Sequence, residues 1–131
     1  AVSPRVVCAE VAVHLGSASI TVPYDREFEH KWIPLEEESS LMGDGGRTGT
    51  LYNKAFYGGA SYPAMVKLGK AKNYRLVGAS LTGANAFFMR NDVGLDYFPE
   101  VTWESCMNPA YDVEHRERVM RILLQERWED V

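Results

Sequence analysis

A carboxylate stands inside an apolar run: residues 6 to 13 read Val-Val-Cys-Ala-Glu-Val-Ala-Val, with Glu10 the one charged group. Burying a charge is costly unless it is paired or lies near an open end, so Glu10 is a candidate for binding or proton chemistry. The plain alternative, a carboxylate satisfied by backbone amides or an arginine, stays open. A second constellation is Tyr57-Gly58-Gly59-Ala60-Ser61, a ring and two glycines placed immediately before a helical pattern. Free N–H groups at such a helix start could face an anionic or carbonyl-bearing ligand; simple capping by Ser61 is the other reading. Aromatic Tyr52, Phe56 and Tyr57 could line an apolar pocket or pack in the core. Gly83 and Asn85 fall where two strands turn, which glycine's access to positive φ explains without any ligand.

Other reactive residue types are less well placed. Gly43-Asp44-Gly45-Gly46-Arg47-Thr48-Gly49 superficially suggests a phosphate cradle, yet it follows the acidic Glu36-Glu37-Glu38 and precedes Thr50-Leu51-Tyr52. A phosphate loop should leave a strand and enter a helix, so a flexible loop is expected here. His14, His30 and His115 show no zinc spacing; only His14, following the first strand, is held as a reserve candidate. Cys8 and Cys106 have no neighbouring base or helix start to lower a thiol pKa, so nucleophilic catalysis has little support.

These residues need elements to hold them. The run from Val6 to Val13 is rich in β-branched residues and nearly continuous, as in a strand covered on both faces, and Pro4 marks its start. Residues 20 to 50 read as a long connection carrying Ile20, Val22, Tyr24, Trp32, Ile33 and Leu35. Ser61 as N-cap, Pro63 in the first turn, and Ala64, Met65, Leu68 and Ala71 at helical spacing predict a helix ending near Asn73. Gly69 costs that helix ~1 kcal/mol relative to Ala, so packing on a sheet must stabilise it. Tyr74 to Ala79 and Ala86 to Met89 predict an antiparallel strand pair. From Asp112, a good N-cap, to about Arg127, a surface helix carries Val113, Met120, Leu123 and Leu124 on or near one face.

The chain has 131 residues, 46% hydrophobic and 24% charged, which suits a single globular domain over residues 1–131 with one core. A net charge of −4 argues against nucleic acid as a partner, because such binders cluster Lys and Arg. Two cysteines far apart make a weak disulfide framework, so a reducing cytoplasm is expected. No apolar run approaches the ~20 residues a bilayer-spanning helix needs, and no membrane partner is expected.

The order of Pro4 to Glu10, Ile20 to Asp25, Tyr57 to Ser61, and Tyr74 to Arg90 resembles the last third of the FkbM-like group of S-adenosylmethionine-dependent methyltransferases. The likeness spans Pro4 to Asp92, roughly two thirds of the chain, by family signature and not by a catalytic motif. It implies an α/β fold, a partial doubly wound sheet: one buried parallel strand, its crossover helix, and a closing antiparallel pair; the C-terminal surface helix, read from its own spacing, completes the expected fold. It places Glu10 at the acidic position of a strand-end Glu-Tyr-Asn run near the cleft, with Val11 and Ala12 standing where the family has Tyr and Asn. By resemblance Glu10, Tyr57, Gly58, Ser61 and Asn85 are substrate-binding residues, with the Asn85 amide facing the cleft.

The family's glycine-rich cofactor turn belongs upstream of anything present here. S-adenosylmethionine is therefore implied only if other residues complete the site, and this chain alone is expected to bind no cofactor and to catalyse nothing by itself. Ala1 in place of Met fits either preceding residues or ordinary Met removal. Three expectations follow: a C-terminal part that supplies the substrate-side walls of a methyltransferase, a stand-alone α/β module that completes its sheet by homodimerisation, or a binding domain for a small molecule.

Overall fold

The computed structural model describes residues 2–35, 54–107 and 113–131. The glycine cluster at 43–49, the acidic residues 36–38, Tyr52 and the expected N-cap Asp112 lie outside the described residues. The architecture is mixed α/β. In chain order it runs β1 (Val6–Glu10), a 3-10 turn (Val13–Leu15), β2 (Ile20–Thr21), β3 (Lys31–Pro34), β4 (Lys54–Tyr57) and α1 (Tyr62–Ala71). It continues with β5 (Tyr74–Ala79), β6 (Asn85–Arg90), a second 3-10 turn (Glu104–Cys106), α2 (Val113–Leu123) and β7 (Glu129–Asp130).

The described strands form three small antiparallel sheets. The largest has the order β1-β6-β5, and β2-β7 and β3-β4 are two-stranded. The antiparallel β5–β6 pair stands as expected, from Tyr74 opposite Arg90 to Ala79 opposite Ala86. β1 pairs with the other side of β6, Val6 opposite Met89 and Glu10 opposite Asn85. Because β6 opposes both neighbours, β1 and β5 run in the same direction without touching through a ladder. No two described strands pair in parallel, so the parallel part of the expected sheet is absent from these pairings.

β1 corrects a second expectation. It is not buried on both faces: Val6, Cys8 and Glu10 are exposed, and only Val7 and Ala9 are half-buried. The alternation has a simple cause, since successive side chains of a strand point to opposite faces and α1 covers one face of this sheet. Val7 and Ala9 pack with Met65 and Val66 of α1 in a cluster built on Tyr62, Leu76, Ala86 and Phe88. Arg90 N–H donates to the Arg5 carbonyl and Val11 N–H to the Ala84 carbonyl, so odd-numbered residues of this stretch bond to β6. Val6, Cys8 and Glu10 then direct their backbone groups to the other edge, where no described strand pairs with β1. The strand ends at Glu10 because Ala12 N–H turns to the Ala60 carbonyl.

α1 begins as its sequence dictates. Ser61 is extended (φ −71°, ψ 164°), and its hydroxyl accepts from Ala64 N–H at 3.3 Å. Gly69 faces the sheet, where a Cβ would stand 3.1 Å from the Phe88 ring. The helix ends at Ala71 with Lys72 as its C-cap, and Asn73 follows with φ +65°.

A second cluster gathers Leu15, Ile20, Leu35, Ala55, Tyr57, Val119 and Leu123, so the described residues form two core clusters where one core was expected. α2 stops at Leu123, short of Arg127, as N–H groups of Gln125 and Glu126 bond three residues back. Trp128 folds over that end, its indole N–H donating to the Leu123 carbonyl at 2.7 Å, and Leu124 faces solvent instead of the core.

Candidate functional site

A cavity of about 550 Å³ opens beyond the carboxyl end of β1. Glu10 and the segment Val11 to His14 form one side. The β3–β4 hairpin forms the opposite wall through Trp32, Lys54 and Phe56, with Phe28 and His30 from the chain leading into it. Gly58, Gly59, Ala84 and Val119 close the remaining surface. The wall follows from strand periodicity: Lys54 and Phe56 alternate with buried Ala55 and Tyr57, so the hairpin shows one face to the cavity and the other to the second core.

The aromatic part is contiguous. The Phe56 ring lies 5.0 Å from Trp32 and 5.5 Å from His30, centroid to centroid, both tilted. Phe56 reaches this position because Gly58 has no side chain: a Cβ there would stand 2.7 Å from the ring. Gly59 adopts φ +73°, a turn that favours glycine.

Of the five residues named from sequence, Glu10 and Gly58 line the cavity. Asn85 lies directly opposite Glu10 in the β1–β6 register, beside the cavity-lining Ala84. Tyr57 and Ser61 do not line it, and the packing explains why. Tyr57 is buried on the far face of β4 against Phe28 and Trp128, and its hydroxyl donates to the Arg127 carbonyl. Burial, then the nearby Glu126 charge, push its pKa up. Ser61 is wholly buried, and its hydroxyl accepts from both Ala64 N–H and Ile20 N–H. With Ala64 N–H taken by the Ser61 hydroxyl and Pro63 lacking an N–H, the start of α1 favours the capping reading of Ser61.

His14, the reserve candidate, does line the cavity, whereas Phe28, His30, Trp32 and Lys54 were not singled out as site residues. Their signal was present as alternation, His30 with Trp32 and Lys54 with Phe56, but it becomes legible only once the two strands are known to pair. Glu10 and Lys54 bring opposite charges to the one cavity, and neither has an ion-pair partner among the described residues. The arrangement can hold a ring against Phe56 and Trp32, accept a hydrogen bond at Glu10 and donate one at Lys54.

Other chemistry is less favoured by the geometry. Among the described residues no group of three His, Cys, Asp or Glu could hold a metal ion. Cys106 is buried and its thiol pKa is raised by that burial, which works against a nucleophilic thiolate. No described helix is long and apolar enough to cross a membrane. Comparison with protein-family models, curated proteins and solved structures finds no match to this chain.

Proposed function

We propose that this chain is the substrate-side part of a methyltransferase-related α/β domain and is not catalytic alone. The observation that carries the reading is the order β1-β6-β5, with a reversed middle strand between two strands of like direction and α1 between β1 and β5 in sequence. The resemblance likewise implies a last strand that runs against the others, and this likeness supports the reading. The cavity supports it too, since open α/β sheets place ligands beyond the carboxyl ends of their strands, and Glu10 stands at the end of β1.

The reading leaves S-adenosylmethionine to residues beyond the described ones: at the strand-to-helix turn with paired glycines, Gly58-Gly59, the Gly59 carbonyl accepts from Val22 N–H and the Ala60 carbonyl from Ala12 N–H, so these two acceptors are taken within the fold. The acceptor-side role needs only what is here, an aromatic wall with a carboxylate at one end. A stand-alone module that pairs with a second copy is the other reading, and the backbone edge of Val6, Cys8 and Glu10, which has no strand partner among the described residues, favours it.

Calorimetric titration of S-adenosylhomocysteine into the chain, with the mass in solution measured by light scattering, tests this. A monomer is expected to give no binding heat. Micromolar binding by a monomer would overturn the substrate-side reading, and binding by a dimer would transfer the proposal to a cleft rebuilt from two copies.

A further inference from the structure

The cavity wall has a direction. Lys54, Phe56 and Gly58 follow one another on the cavity side of β4 and its exit, so Lys54 and Gly58 are separated by ~13 Å along an extended chain. Gly58 leads to Ala60, whose carbonyl takes Ala12 N–H, two residues beyond Glu10. Glu10 therefore belongs to the Gly58 end, Lys54 to the opposite end, and the rings of Phe56 and Trp32 to the space between. Lys31, the other lysine of this hairpin, is on the far side: it pairs with Glu126 at 2.8 Å and lies over the Tyr57 ring.

We propose that the cavity binds a small aryl acid, its ring on Phe56 and Trp32, its anionic group at the Lys54 ammonium, and a hydrogen-bond-donating substituent at the Glu10 carboxylate. The sequence of chemistries along the wall sets that class. A purely apolar ligand would leave two charges facing it unmatched, and a dianion would meet Glu10. A ring carrying an acid at one end and a donor at the other answers each group in turn. A cavity of this size also lies within the range of small-molecule sites. The inference rests on reading this cavity as the acceptor side, and it names the acceptor's class.

Three probes test it on the full chain without any cofactor: 3-(4-hydroxyphenyl)propionate, 3-phenylpropionate and 4-ethylphenol. They carry both end groups, the acid alone and the hydroxyl alone. The expected result is that the first binds tightest, by roughly tenfold over either of the others, as the loss of one charge-assisted hydrogen bond implies. Binding should move the Trp32 indole resonance, since that ring lines the cavity.

Lys54→Ala should erase the advantage of the carboxylate, and Glu10→Ala that of the hydroxyl, each leaving the other end's preference intact. Both residues are on the surface, so the variants should stay folded by circular dichroism. Gly58→Ala supplies a third readout, because its Cβ must push the Phe56 ring aside and weaken all three probes together. Equal affinity for the three probes, an unmoved Trp32 resonance, or no effect of either charge removal would overturn the proposal. Since no cofactor is present, a failure here leaves the methyltransferase-related reading standing with another acceptor class. Aryl-acid binding in a chain that also binds S-adenosylhomocysteine as a monomer would leave this site and remove that reading.

Discussion

Ser61 is the residue on which two elements hang, since one hydroxyl accepts from Ala64 N–H in α1 and from Ile20 N–H in β2. Ser61→Ala should cost about 1–3 kcal/mol, the penalty for an N-cap lost together with a second buried donor, read from denaturant unfolding. Tyr62 sets a pH limit. Its hydroxyl is buried and donates to the Gly83 carbonyl at 2.5 Å, and burial, helped by Cys106, pushes its pKa up to about 12. An unfolded tyrosine ionises near 10, so between about 10 and about 12 the unfolded chain loses a proton that the folded chain keeps. Stability conferred by this group is complete below pH 10 and should fall as pH rises through that window. Tyr57 adds to the loss in the same direction. In Tyr62→Phe the decline above pH 10 should flatten when the unfolding midpoint is followed against pH. The capping role of Ser61 was legible in sequence because it acts over three residues. Arg75 was not legible: this buried guanidinium binds the carbonyls of Arg90, Val93 and Phe98, fifteen to twenty-three residues away.

At the scale of elements, α1 shows local propensity yielding to packing. Glycine inside a helix costs ~1 kcal/mol against alanine, yet at position 69 a Cβ would come within 3.1–3.2 Å of the Phe88 ring. Gly69→Ala should therefore give no net stabilisation, and Gly69→Val should destabilise by about 1–3 kcal/mol through overpacking. Thermal melts of the two variants check this, and a clear gain in the alanine variant would show that the sheet yields. The same contrast explains which elements the sequence made visible. α1, β5 and β6 carry their own signals in a cap, a helical spacing and a turn. β1 does not reveal its neighbours, because a continuous apolar run reads alike whether a strand is central or at an edge; Val6 and Cys8 lie exposed here. The end of α2 depends on Trp128 folding back to Leu123, a tertiary event with no periodic signature. β3 and β4 pair across the interval 35–53, so nothing adjacent in sequence announces the hairpin that forms the cavity wall.

Over the whole molecule, composition argues for one core, and the described residues instead form two clusters that meet at three consecutive residues. Val11 and Val13 belong to the cluster under α1, while Ala12 belongs to the cluster around Leu123. A segment this short cannot move with one cluster and stay with the other, so the two should unfold together. The cavity opens at this junction, lined by Val11, Ala12 and Val13 and, across it, by Val119 of the second cluster. Ligand affinity should then report on both cores. Leu76→Ala in the first and Leu123→Ala in the second should each cost about 2–5 kcal/mol, as deletion of a fully buried leucine does. Each should shift one common transition, seen alike by Trp128 fluorescence and by amide exchange in β5 and β6. Were Leu123→Ala to melt the Trp128 signal while β5 and β6 kept their protection, the clusters would be separate folding units. The cavity would then lose one wall before the other, and binding would vanish at the lower of two transitions, whereas cooperative coupling through residues 11–13 makes stability and binding fall in step.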